Sequence, residues 1–116
     1  MPSTTVIPPS AVLPELQAHT DAMRAIRRDI HAHPELCFQE ERTSELVAQT
    51  LAQWGIEVHR GLGKTGVVGV IEGRPGPRAV ALRADMDALP MTEHNTFAHA
   101  SQHAGKMHAC GHDGHT

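Results

Sequence analysis

The chain has 116 residues, 40% of them hydrophobic and 20% charged, with a net charge of −3 when histidine is neutral. That length and balance describe a globular segment with a modest core, not a disordered one. They supply no basic footprint for nucleic acid, and the only aromatic side chains, Phe38, Trp54 and Phe97, are too few for base-stacking surfaces. The ten histidines are an excess, and six of them lie between residues 94 and 116.

Residues 1–12 are rich in Pro, Ser and Thr and read as a flexible leader. They have neither the basic start nor the apolar centre of a signal peptide, and no apolar run is long enough to span a bilayer. The expectation is therefore a cytoplasmic protein without membrane contact. The two cysteines, Cys37 and Cys110, do not form a disulfide framework. Cys37 is expected to be a small buried residue.

A helical period begins at Pro14. Leu16, His19, Met23, Ile26 and Ile30 form one stripe, and Pro34 ends it because the residue before a proline avoids the α region. His31 and His33, just before that proline, suit a helix C-terminus on electrostatic grounds alone. A second helix is predicted from Glu41 to Trp54, with Leu46, Val47, Leu51 and Trp54 on the core side and Gly55 just past its end.

The period then changes. Ile56–His59 alternates like a half-buried strand. Residues 61–66 form a turn that lacks the spacing of a phosphate-binding loop, which leaves nucleotide binding a remote alternative. Val67–Ile71 and Ala79–Ala84 read as strands apolar on both faces, separated by the Arg74–Pro77 turn. The fold class expected is α/β, with helices packed on a mainly parallel or mixed sheet.

Two stretches carry chemistry. Asp85 and Asp87 follow the last predicted strand, where ligand sites of α/β sheets lie. As i, i+2 residues they share one side of an extended backbone and can work together, one as a ligand and one as a carboxylate that orients a ligand His. The bland alternative is a solvated turn. Residues 107–116, Met-His-Ala-Cys-Gly-His-Asp-Gly-His-Thr, gather three His, one Cys and one Asp in eight positions. Thiolate, imidazole and carboxylate are the usual ligands of zinc and its neighbours, and the glycines let the chain bend around an ion. A polar His-rich loop without an ion is the alternative, since the i, i+2 Cys/His spacing is not that of a zinc finger. Residues 91–106 read as a connecting loop.

Four segments in order, Arg27–Leu36, Trp54–Val58, Leu82–Pro90 and Met107–Thr116, resemble the N-terminal part of the N-acyl-amino-acid amidohydrolases, which include hippurate hydrolases and the plant hydrolases of auxin conjugates. These are dinuclear metallopeptidases related to aminoacylase and carboxypeptidase G. The resemblance implies that residues 13–116 form the N-terminal portion of a metal-dependent catalytic domain. The implied reaction is hydrolysis of the amide bond of a small N-acyl amino acid. It also implies two divalent ions, zinc or manganese before nickel or cobalt, and a homo-oligomer at full length.

On the same ground Cys110 and His112 are metal ligands and Asp87 is the supporting carboxylate. Asp85 stands where related peptidases carry a ligand His. The family's general base and remaining ligands have no counterpart in these 116 residues, so a fragment, inactive alone, is expected. Two readings from other classes are a stand-alone zinc module using Cys110, His112, His108 and His115, and a non-catalytic interaction protein.

Overall fold

The computed structural model describes residues 13–116, so the predicted leader at 1–12 lies outside the described residues. The first helical stretch is two helices. α1 (Pro14–Gln17) is one turn begun by its proline, and α2 (Thr20–Ala32) follows after His19, whose φ of −98° and ψ of 1° interrupt the ladder. His33 leaves the α region at φ −123°, as its position before Pro34 requires.

α3 (Glu41–Gln53) gets no cap from its own N-terminal residue. Glu35 does that work from outside the helix: its carboxylate accepts the backbone N–H of Thr43 at 2.7 Å and of Arg42 at 3.0 Å, and the Thr43 hydroxyl at 2.7 Å. At the other end Gly55, with φ +77°, reverses the chain, and the Ile56 N–H bonds back to Leu51 O at 3.0 Å. This 6→1 closure favours a residue free of a Cβ at the left-handed position.

β1 (Glu57–Leu62) and β2 (Gly66–Val70) pair antiparallel, Glu57 opposite Val70, with a bulge between Arg60 and Leu62. A strand and not a helix follows the Gly61–Thr65 turn, which removes the geometry a phosphate loop needs. α3 packs on both strands, giving a helix on a sheet. Within the described residues the one ladder is this hairpin, so the pairing present is antiparallel.

Several expectations are corrected. Residues 79–84 form no strand, and Val80 and Leu82 are 90% and 96% exposed. An extended apolar segment with no partner strand has nothing to bury against, and β2 offers its ladder only to β1. Trp54, expected in the core, is exposed because it sits at the end of α3, beyond the packed turns. Of the stripe on the first helical stretch only Ile30 is buried; Leu16 and Met23 face outward. Cys37 is exposed in the turn between α2 and α3.

The core sits where the end of α2 meets the start of α3. It is small and partly polar: Ile30, Ala32, Pro34, Thr43, Ser44, Ala48 and Ala88. Ala88 is held there by its N–H to Glu35 O at 2.8 Å. That bond brings the 85–90 loop, and the chemistry it carries, against the helices.

Candidate metal centre

The two chemistry-bearing stretches lie side by side because Leu89 and Met107 form an isolated antiparallel bridge, with N···O distances of 2.9 and 3.0 Å. Past the bridge, Gly111 adopts φ +87° and turns the chain into α4 (His112–His115). Only this left-handed step, costly for a residue with a Cβ, lets the helix begin at His112. One helical turn then places His112 and His115 on the same face, their rings stacked with centroids 5.6 Å apart.

Both imidazoles meet the aspartates. His112 Nδ1 lies 2.9 Å from Asp87 Oδ1 and 2.9 Å from Asp87 O, so an Nδ1–H donates to Asp87 and the Nε2 lone pair is left outward. His112 Nε2 is 3.5 Å from Asp85 Oδ2, and His115 Nδ1 is 2.6 Å from Asp85 Oδ1. The Thr116 hydroxyl, bonded to Asp85 O at 2.8 Å, closes the turn on the loop. One ligand atom each from Asp85, His112 and His115 lies within 4.8 Å of the others. Carboxylate and imidazole donors at this separation, one ring pinned by a carboxylate behind it, fit a divalent ion of the zinc or manganese kind.

The electrostatics agree with that donor set. The hydrogen bond from His115 holds the Asp85 carboxyl below its usual range against the opposing effect of burial, and the His112 charge assists. Burial, the largest single influence, pushes the His112 imidazole down. The Asp87 hydrogen bonds and the charges of Asp85 and Asp87 together outweigh it, so the net shift is upward. A proton is therefore the natural competitor of an ion at His112.

Of the residues singled out in the sequence, the structure brings His112 and Asp87 into direct contact. Cys110 is exposed and free, two residues ahead of His112, and is not in the three-residue group. Asp85 belongs to that group, and so does His115, which the sequence suggested only for a stand-alone module. His108 is buried with neither ring nitrogen bonded.

Sequence reasoning missed a second cluster behind α4. His31 Nδ1 is 2.9 Å from Asp113 Oδ2, and its Nε2 is 3.0 Å from Glu93 Oε1. These partners are 82 and 62 positions away, and His31 had an adequate local explanation at the end of a helix, so no local pattern revealed the contact.

Residues 81–116 match the family model of peptidase family M20/M25/M40. The chain superposes on a portion of a Bacillus subtilis protein, YXEP, described as a dinuclear metal binding peptidase from the M20 family. The TM-score is 0.79 and the identity 43%, over 84% of this chain and 27% of that one. In sequence and fold the chain is thus similar to a portion of an M20-type metallopeptidase.

Within that class the chain is similar to an N-acyl-L-amino acid amidohydrolase of Geobacillus stearothermophilus, 54% identical over 86% of this chain. It is also similar to a hippurate hydrolase of Campylobacter jejuni, 47% identical over 90% of this chain. The chain spans about 27% of the length of either relative.

Proposed function

We propose that residues 13–116 supply part of the metal centre of a hydrolase that cleaves the amide bond of small N-acyl amino acids. The observation that carries the reading is the His112 ring, held at Nδ1 by Asp87 with Nε2 free toward a second carboxylate. In this reading His112 and Cys110 are ligands, and Asp87 orients His112 without itself moving protons. Asp85 and His115 stand close enough to complete or exchange with that set.

A divalent ion held here would polarise the amide carbonyl and make a water nucleophilic near neutral pH. The protein's own contribution is to fix ring direction, through Asp87, and backbone direction, through Gly111 and the Leu89–Met107 bridge. Zinc or manganese suits the donors, and a pair of ions follows from the likeness to the dinuclear relative. A cytoplasmic homo-oligomer acting on small molecules belongs to the same reading; the relatives' names support the small-molecule substrate, and the described residues include no helix long and apolar enough to cross a membrane.

Equilibrium dialysis of the chain against zinc, followed by metal analysis of wild type, Cys110→Ser and His112→Ala, tests the assignment. Both variants are expected to hold less metal, and the loss in each should deepen as pH falls because the ligands must be deprotonated. Unchanged stoichiometry and affinity in both would sink it. The grouping of Asp85, His112 and His115 favours one second reading, a metal-binding module that works alone; tight stoichiometric zinc binding that survives Cys110→Ser would support it.

A further inference from the structure

His31 lies at the centre of a buried chain of charge that the metal reading leaves without a task. Its side chain is 13% exposed, against 4% for Asp113 and 3% for Glu93. One ring thus joins carboxylates from two distant segments, with a carboxylate oxygen at hydrogen-bond distance from each nitrogen. Glu93 is built as an acceptor. Burial pushes its carboxyl up, but the Ser101 N–H at 2.8 Å, the Asn95 amide at 3.0 Å and His31 outweigh burial and hold it below the usual range. Asp113 also faces Arg27 Nε at 3.5 Å. Phe97, His99 and His108 pack around the His31 ring at centroid distances of 5.8, 5.7 and 6.4 Å.

The consequence runs through α4. A helix of four residues has no stability of its own, since nucleating a turn costs more than its few hydrogen bonds return. Its direction is set by what grips it. Thr116 and His115 grip the Asp85 side, and Asp113 supplies the side-chain hydrogen bond to α2, through His31. Asp113 is the residue next to His112.

We propose that His31 is a positioning residue for the metal centre: a ring bonded at once to Glu93 and Asp113 that fixes α4 and so aims His112 at Asp87 and Asp85. This rests on the assignment of His112 as a ligand. Without His31 the link from Glu93 to Asp113 is lost, and Asp113 keeps only the longer contact to Arg27 Nε at 3.5 Å, a looser hold on α4.

The test uses the purified 116-residue chain. Co2+ is titrated into wild type, His31→Gln and Glu93→Gln, read by visible absorption, with circular dichroism of the metal-free forms as the fold control. Folded His31→Gln, which keeps at most one of the two hydrogen bonds, should bind Co2+ roughly ten-fold more weakly and with an altered ligand-field band.

Wild-type affinity and band shape in folded His31→Gln overturn the proposal while leaving the ligand assignment intact. Should His31→Gln fail to fold, the milder Glu93→Gln decides by the same two readouts. A wild-type chain that takes up no Co2+ defeats the ligand assignment and this proposal with it, whereas loss of binding in His112→Ala with none in His31→Gln isolates the failure to His31.

Discussion

Asp87 offers His112 two acceptors, its carboxylate and its own backbone carbonyl, each 2.9 Å from Nδ1. Asp87→Asn removes the charge and leaves the carbonyl, so the ring should keep its direction and lose basicity. Metal affinity is expected to fall toward the lower end of the roughly 10–100-fold range that such partners cost, with the fold unchanged; competition against a chelator of known affinity checks it. His108 behaves oppositely. Desolvation pushes its imidazole below the usual value, outweighing the nearby Asp113 and Asp87 charges. The folded state therefore prefers it neutral. That contribution to stability is complete above the unfolded value of about 6.5 and is lost as pH falls through the lower folded value. His112, shifted upward, contributes in the other sense: its stabilisation is present below about 6.5 and lost as pH rises through its folded value. In the metal-free chain the difference in melting temperature between His108→Leu and wild type should move in favour of the variant as pH drops from about 7 to 5. A pH-independent difference would remove His108 from the account.

At the scale of elements, what was legible was what the local chain decides. Pro34 and Gly55 punctuate the sequence, so the ends of α2 and α3 were readable within a residue or two. The alternating Ile56–His59 stretch and the glycines at 61, 63 and 66 announced a strand and a turn. Less legible was anything set by distant partners. Ala79–Ala84 has the composition of a buried strand, but composition does not supply the neighbour that a strand needs. The cap of α3 was equally hidden, because Glu35 acts from six residues before the helix begins. It satisfies two of the orphan N–H groups of that helix and a hydroxyl, and Thr43 is fully buried. Glu35→Ala should cost about 1 kcal/mol, the usual size of a lost N-terminal cap, and more than Glu41→Ala at the exposed first turn. Urea unfolding of the two variants followed by circular dichroism measures this, and equal midpoints would show that Glu35 is dispensable. In the candidate site the pattern repeats: the Asp87 and His112 motifs were visible as short runs, whereas the Glu93–His31–Asp113 chain joins three segments and leaves no trace in any one of them.

At the scale of the whole molecule, the question is whether these residues alone can run a hydrolysis. Such a reaction needs an ion with an open position, a water and a group free to move protons. The donor atoms gathered here are three, His115 among them is half exposed, and Cys110 stands apart from them. The carboxylates near the cluster are all committed: Asp85 to His115, Asp87 to His112, Asp113 and Glu93 to His31. A carboxylate that already accepts an imidazole N–H is a poor base for a water. The groove between α2 and α3, walled by Met23, Ile26, Ile30, Leu46, Leu51 and Trp54, reaches Asp113 and His115; its carboxylate, Asp113, is already bonded to His31, so it brings no further carboxylate base. Relatives that do perform the chemistry, by their names, are more than three times as long. The purified 116-residue chain, supplied with zinc or manganese, is therefore expected to bind an ion weakly and to release no glycine from hippurate and no amino acid from N-acetyl derivatives above the metal-only rate. Metal-dependent turnover that disappears in His112→Ala would show that one of these committed carboxylates does serve as the base, and Asp85, the one held by the most exposed partner, would be the first to substitute.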